Sequence, residues 1–119
     1  MFINLSNHPS SKWSAEQVEA ARVYGEIVDL PFPVVDPKGD EVHVSALADE
    51  YCRKVQAMAA GYPVAVHVMG EMTLTFAIVS RLQALGIPCY AATTERIITE
   101  LPEGRKESVF RFVRFRKYQ

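Results

Sequence analysis

Apolar residues along this chain fall into short continuous runs that alternate with stretches in which they recur every three or four positions. Val64–Met69 is a β-branched run that predicts a strand buried on both faces. The spacing over Thr73–Leu85 predicts a helix that ends at Gly86, and Ile87–Ala91 predicts another strand. A strand, a helix and a strand in this order indicate a βαβ unit with parallel strands.

The N-terminal half repeats this order of elements. Phe2–Ser6 predicts a first strand, and Ile27–Leu30 predicts a second strand parallel to it. The helix between them has a clear start, because Ser14 and Gln17 have the spacing of a capping box. After a proline-rich loop, a further helix is predicted to begin at Ser45 and to end near residue 61.

The C-terminal segment shows a different pattern, in which apolar and charged residues alternate. Ile97–Leu101 and Glu107–Tyr118 flank a Pro-Glu-Gly-Arg turn and predict a β-hairpin. Neither face of the last strand is purely apolar, which indicates an edge strand or a subunit interface. Residues 1–119 are therefore predicted to form a single three-layer α/β/α, Rossmann-like domain with four parallel strands, three helices and a C-terminal antiparallel β-hairpin.

Composition sets bounds on the class of protein. With 119 residues, 49% of them hydrophobic, the chain can bury roughly two-thirds of its unfolded surface without disulfides or metals. Cys52 falls on a predicted helix and Cys89 on a predicted strand, which indicates reduced core thiols. The sequence has neither a signal peptide nor an apolar run of about 18 residues, so we expect a cytoplasmic protein with no membrane partner.

Charge is unevenly distributed, although the formal net charge is -1. From Arg96 onward the chain carries seven Lys or Arg residues and three Glu residues, whereas the first 95 residues carry six basic and eleven acidic residues. A basic segment on an acidic body can bind an anion or the body of a second copy. An ordinary solvated strand face explains the same pattern equally well.

Parallel sheets bind ligands at the carboxyl ends of their strands, so the residues that follow the predicted strands form the candidate site. His8 follows the first strand, where a histidine could act as a general base, donate to a phosphate, or only cap local backbone. His67 lies inside an apolar strand and is interpreted as a packed histidine or one that faces a partner.

Two further predicted strand ends carry polar residues. Gly70, Glu71 and Thr73 form a strand-to-helix turn whose backbone N–H groups suit an anion. The carboxylate of Glu71 would repel phosphate, however, and would favour the helix N-terminus. Thr93–Arg96 combines hydroxyls with a guanidinium, a set that can grip a phosphate or form a surface turn with an ion pair.

Three arginines are interleaved with three phenylalanines over residues 110–116 of the last predicted strand. This pattern is typical of surfaces that bind nucleic acid, and equally of edge strands protected against aggregation. The sequence contains no Walker loop, GxGxxG fingerprint, zinc-ligand set or GxSxG motif. It therefore predicts neither a metal nor a cofactor.

Four short stretches near the two ends of the chain match motifs of a known family. Asn4–His8, where a predicted strand ends in an Asn-His pair, is followed shortly by the "EQ" helix start of Ser14–Gln17, and this order resembles the opening of small CRISPR-associated proteins. Tyr90–Arg96 and Val109–Tyr118 are similar to the ATT(x)R and F(x)(x)VRFR(x)Y stretches of the same family. The resemblance covers both ends of the chain, with matching length, order and Gly70 turn between them.

These proteins resemble the CARF (CRISPR-associated Rossmann fold) group, whose members bind cyclic oligoadenylate messengers of type III CRISPR systems, usually across a homodimer interface. The resemblance implies a CARF-like ring nuclease that cuts without a metal. In this cut, a ribose 2′-OH attacks the adjacent phosphate and leaves a 2′,3′-cyclic phosphate. It also implies a homodimer or higher homo-oligomer, cyclic tetra-adenylate as the ligand, and no duplex nucleic acid as a partner.

The resemblance implies a role for each matching residue. His8 would be the base that acts on the 2′-OH, and Arg96 would steady the charge on phosphorus. The ligand-binding residues that it implies are Ser6, Asn7, Gly70, Glu71, Thr73 and Thr94. Two other functions stay open: a sink that binds the messenger without cutting it, and an interaction protein that uses its basic C-terminal strand.

Overall fold

The computed structural model describes residues 1–119 and shows an α/β fold around one mixed sheet of five strands. The strands are β1 (Phe2–Ser6), β2 (Ile27–Pro31), β3 (Ala65–Met69), β4 (Cys89–Glu100) and β5 (Lys106–Lys117). The helices are α1 (Ala15–Arg22), α2 (Glu41–Ala59) and α3 (Met72–Ala84). None of these helices combines the length and the apolar composition that spanning a bilayer requires.

The strands follow the order β2–β1–β3–β4–β5 across the sheet. The first four run parallel, as the sequence predicts, and β5 runs antiparallel to β4. Since β2 and β3 lie on opposite sides of β1, the winding direction of the chain reverses there. The reversal makes a topological switch point between β1 and β3, whose carboxyl ends lie side by side with Ser6 paired to Met69.

Alternation along β1 divides the interior into two cores. On one face, Ile3 and Leu5 belong to a cluster of 14 buried residues that joins the sheet to α2 and α3. On the other face, Phe2 belongs to a smaller and mainly aromatic cluster with Trp13 and Phe115, against which α1 packs. The sheet therefore carries helices on both faces.

The helix starts show which capping signals are easily read. Ser14 caps α1 as predicted, and its hydroxyl accepts a hydrogen bond from the backbone N–H of Gln17 at 3.2 Å. The prediction that α2 begins at Ser45 is wrong, because α2 begins about one turn earlier. Asp40 is its N-cap, and the Asp40 carboxylate accepts from the backbone N–H of His43 at 3.1 Å.

The predicted C-terminal hairpin is present, but it is not separate from the parallel sheet. β4 continues through residues 93–96, which were expected to follow a strand end, and pairs with β5 as far as Glu100. No glycine or proline interrupts the chain between β4's first residue and Pro102, so no residue in this run ends the strand. The pairing shifts once, between Thr93 and Thr94, and this bulge leaves Val113 of β5 without a partner. The sheet has five strands because one long strand replaces two predicted ones.

The outer halves of β4 and β5, residues 94–111, form a two-stranded arm. Every side chain of the arm except that of Leu101 is largely exposed, in a molecule with extents of 53 × 37 × 25 Å. The arm includes large apolar residues, among them Ile98 at 55% and Val109 at 48% exposure. β5 thus forms an edge of the sheet, as predicted. The apolar side chains of the arm stay exposed, because no other part of the chain covers them.

Candidate functional site

A cleft of about 660 Å³ opens at the carboxyl ends of β1 and β3, on the side of the sheet that α1 covers. The loop after β1 and the first turn of α1 form one wall, and β4 and β5 form the other. Small-molecule sites in proteins have volumes of roughly 300–1,000 Å³. The cleft also lies at the switch point, where sheets of this kind bind their ligands.

Of the eight site residues that the resemblance implies, five line this cleft. Ser6, Asn7 and His8 come from the end of β1 and the loop after it. Gly70 follows β3, and Thr94 reaches the cleft from β4 on the opposite wall. The structure therefore brings together polar groups that lie up to 88 positions apart in the sequence.

Glu71 and Thr73 lie outside the cleft and cap α3. The Glu71 carboxylate accepts from the backbone N–H of Thr73 at 3.0 Å, from the Thr73 hydroxyl at 2.7 Å, and from the backbone N–H of Leu74 at 2.8 Å. The bond from the Thr73 hydroxyl is the largest of the interactions that lower the Glu71 pKa. This geometry corresponds to the alternative in which Glu71 serves the helix N-terminus.

Arg96 lies just outside the cleft. Because side chains alternate along a strand, Arg96 shares the face of β4 that carries Thr94. Its guanidinium, however, donates from Nε to Ser108 Oγ at 2.7 Å on the arm. The structure thus brings His8 and Thr94 to one cleft and leaves the arginine directed along the arm.

The loop that carries His8 is held by its backbone. The His8 carbonyl accepts from Asn4 Nδ2 at 2.9 Å and from Trp13 Nε1 at 3.2 Å. The His8 backbone N–H donates to Ser6 Oγ at 3.2 Å. Further along, Asp29 of β2 accepts from the backbone N–H and the hydroxyl of Ser10. The exposed imidazole of His8 therefore projects from an anchored loop into the cleft.

Sequence reasoning missed the cation in the cleft, Lys12. Lys12 is exposed at the end of a 3₁₀ turn between β1 and α1, on the same wall as Ser14. A signal was available, because Lys12 lies in the loop that was expected to face the strand-end crevice. An ammonium group near the N-terminus of α1 gives this wall a positive potential.

The opposite wall offers an aromatic surface. Phe110 of β5 lines the cleft and is 69% exposed, while its neighbour Phe112 lines the cleft and is buried. Both belong to the basic and aromatic pattern seen in the sequence. An exposed ring beside polar groups is suited to stacking with a planar ligand, such as a nucleobase.

His67 also lines the cleft, although its sequence context indicated only a packed or partner-facing role. The residue is 2% exposed, and its ring lies edge-to-face with Trp13 and Phe115 at centroid distances of 5.7 and 5.3 Å. Burial, together with the nearby His8, lowers the pKa of His67 from 6.5 to about 4. The imidazole is therefore neutral at physiological pH.

Other parts of the molecule offer less chemistry. A second pocket, of about 440 Å³, lies between α3 and the C-terminus and has no charged side chain in its lining. Cys52 and Cys89 are buried free thiols, and burial raises the pKa of Cys89 to about 12. No group of three or more His, Cys, Asp or Glu residues is arranged to hold a metal ion.

Comparison with models of protein families gives a match over residues 1–116, to the Uncharacterized protein MJ1673 family. The chain belongs to this family. No curated protein matches the chain, and no solved structure matches it. The description of the MJ1673 family names no ligand or reaction, and the cleft is the feature of the molecule that points to a function.

Proposed function

We propose that this protein binds cyclic oligoadenylate in the cleft and cleaves it, as a cytoplasmic, CARF-like ring nuclease of type III CRISPR systems. One observation carries the proposal. The four stretches that resemble small CRISPR-associated proteins, namely Asn4–His8, Ser14–Gln17, Tyr90–Arg96 and Val109–Tyr118, all contribute residues to the same cleft. A shared ligand-binding site requires such a convergence of stretches that are far apart in sequence.

The chemical groups of the cleft match the parts of a nucleotide. Phe110 offers a ring for stacking with adenine, and Lys12 offers a charge for phosphate. The hydroxyls of Ser6 and Thr94 and the side chain of Asn7 can bond to ribose and phosphate oxygens. These groups favour an anionic, planar ligand over a purely apolar one.

His8 is the residue best placed to start the cleavage. In the proposed reaction its imidazole takes the proton from a ribose 2′-OH, and the 2′-oxygen then bonds to the adjacent phosphorus. The bond from phosphorus to the 5′-oxygen breaks, and the 5′-oxygen takes up a proton from water. The products are a 5′-hydroxyl end and a 2′,3′-cyclic phosphate end. A held loop favours this chemistry, since the attacking oxygen must lie in line with the leaving one.

Charge develops on the phosphate as the 2′-oxygen attacks, and a cation stabilises it. Lys12 lies in the cleft, so we assign this role to Lys12 in addition to Arg96. Arg96 could contribute only after its guanidinium leaves Ser108. Replacing each by Ala, one at a time, separates the two roles.

A homodimer is part of the proposal. The arm carries exposed apolar side chains, and the C-terminal segment is basic while the rest of the chain is acidic. The apolar side chains of the arm can therefore pack against a second copy, and the exposed basic end of β5, with Arg114, Arg116 and Lys117, offers charge complementary to the acidic body of that copy. Sedimentation velocity should show a species of twice the chain mass. A monomer at every concentration and salt level tested would contradict the dimer.

The decisive experiment is incubation of the purified protein with labelled cyclic tetra-adenylate in EDTA, followed by chromatography. We expect linear products that end in a cyclic phosphate. His8→Ala should slow the cleavage at least about a hundredfold, the effect typical of losing a general base. His43→Ala is the matched control, because His43 lies at the start of α2 and does not line the cleft.

Other outcomes assign the other functions. Tight binding without products, for the cyclic tetra- and hexa-adenylate rings alike, would identify a sink that sequesters the messenger. Absence of both binding and cleavage with either ring would contradict the proposal and leave the interaction protein as the remaining function.

A further inference from the structure

The buried histidine of the cleft, His67, is held by an amide whose orientation is unambiguous. His67 Nδ1 lies 2.9 Å from Asn4 Oδ1. The other end of that amide, Asn4 Nδ2, lies 2.9 Å from both the His8 carbonyl and Asp29 Oδ1. Because both partners of Nδ2 are acceptors, the nitrogen must be at this end of the amide. Asn4 therefore presents its oxygen to His67.

The tautomer of His67 follows from this arrangement. An amide oxygen accepts hydrogen bonds, so His67 Nδ1 must carry the proton and donate it to Asn4. In the neutral ring, Nε2 then has a free lone pair. No group of the protein donates to Nε2, which is shielded from solvent. The series of hydrogen bonds from Asp29 through Asn4 to His67 thus ends at His67 Nε2, an acceptor without a partner.

An unpaired buried acceptor is unfavourable for folding, and most buried polar groups have a partner from the protein, from water or from a ligand. Of the three buried side-chain atoms that lack a partner in this protein, His67 Nε2 is the one whose residue lines the cleft. His67 lines the cleft, so a ligand bound there would lie against this residue, whose Nε2 is the ring atom without a partner. A phosphate oxygen cannot be the partner, since it has no proton to donate. Among the groups of a ribonucleotide, the ribose hydroxyls and the adenine amine are donors.

We infer that His67 Nε2 accepts a hydrogen bond from a ribose hydroxyl of the bound ring and makes the site specific for ribonucleotides. The inference rests on the proposed function. The ribose is favoured over the base because His67 lies on the strand next to β1, whose end carries Ser6 and His8, whereas the aromatic surface of Phe110 lies on the far wall. Each ribose of the ring has one free hydroxyl, and its single proton cannot go to both histidines, so His67 orients a sugar next to the one on which His8 acts.

Two variants of His67 separate the role of the Nδ1 donor from the role of the Nε2 acceptor. His67→Asn keeps a donor near the position of Nδ1 and removes the acceptor at Nε2. His67→Gln can place an amide oxygen near the position of Nε2. We expect His67→Asn to weaken the binding of cyclic tetra-adenylate about tenfold, the effect of one hydrogen bond, and His67→Gln to restore most of the affinity. The all-2′-deoxy ring should bind to wild type and His67→Asn with equal affinity.

Imidazole ¹⁵N NMR of the wild-type protein tests the inference without any variant. At neutral pH the ligand-free protein should show Nδ1 protonated and Nε2 unprotonated. Addition of cyclic tetra-adenylate should shift the Nε2 resonance as expected for a new hydrogen bond, and the deoxy ring should not.

Each contrary result has its own meaning. A protonated Nε2 in the free protein would overturn the inference, as would unchanged binding of cyclic tetra-adenylate by His67→Asn. A defect that persists with the deoxy ring but disappears with cyclic tetra-inosinate would show that His67 reads the base amine, and would also overturn it. In these cases the proposed function stands. If the wild-type protein binds no ring at all, the proposed function and this inference both fail.

Discussion

The two faces of the sheet are made by the same strands and differ in almost every other respect. One face lies under α2 and α3, which together have 32 residues, and its core is mainly aliphatic. The other face lies under α1, which has eight residues, and its core includes Phe112 and Phe115 of β5. That second face combines aromatic rings with the buried polar residues Asn4, Ser6 and His67.

The difference shows how one sheet can separate stability from recognition. Side chains alternate along β1, so Ile3 and Leu5 enter the aliphatic core while Asn4 and Ser6 lie on the opposite face, where Ser6 lines the cleft. Aliphatic packing needs shape and area, and α2 and α3 supply both. Buried polar groups need specific partners, and a short α1 leaves room for some of those partners to come from a ligand.

The largest effect on folding is expected from the aliphatic face. Ile78 of α3 is fully buried there, so Ile78→Ala should lower the free energy of unfolding by about 2–5 kcal/mol. Urea denaturation monitored by the fluorescence of Trp13, the single tryptophan, measures this loss. Thr94→Ala in the cleft is the control and should change stability by less than about 0.5 kcal/mol. Similar losses of unfolding free energy for Ile78→Ala and Thr94→Ala would mean that stability and recognition are not divided between the two faces of the sheet.

The cleft face should make stability depend on pH through His67. Its pKa is about 4 in the folded protein and 6.5 in the unfolded chain, so between these values only the unfolded chain binds the proton. This contribution to stability is therefore complete above pH 6.5 and is lost as the pH falls from 6.5 to about 4. The loss amounts to about 3 kcal/mol.

Denaturation at several pH values, compared between wild type and His67→Asn, isolates this contribution. Carboxylates titrate in both proteins, but only the wild type has the imidazole. The difference in stability between the two should shrink or change sign as the pH falls below 6.5. A difference that is constant with pH would contradict the low pKa of His67.

The sequence predicts much of the aliphatic side and part of the cleft. Continuous apolar runs predict the parallel strands because such strands are buried on both faces, and the cap at Ser14 is local chemistry. The loop residues Asn7 and His8 were found because the ends of parallel strands share one edge of the sheet. Both inferences need only short-range patterns and a rule of topology.

The remaining features depend on contacts between distant residues. His67 lies between valines, and a strand buried on both faces gives no sign of which face is polar; its role depends on Asn4 in a neighbouring strand. Arg96 was expected to follow a strand end, but pairing with Phe110 of β5 keeps it inside β4. Lys12 lies in a loop, where residue spacing does not reveal the direction of a side chain.

The smallest expected effect concerns Phe110, which tests whether the exposed wall of the cleft serves recognition alone. Phe110→Ala removes a ring that is 69% exposed, so stability should change by less than about 0.5 kcal/mol. The binding of cyclic tetra-adenylate, measured by titration calorimetry, should weaken by about 1–3 kcal/mol because one base loses its stacking partner. Val109→Ala is the matched control, since Val109 is the adjacent exposed residue of β5 and does not line the cleft. If both variants bind the ring as the wild type does, the aromatic wall has no part in recognition. The polar residues that line the cleft, such as Ser6, Asn7 and His8, must then select the ligand.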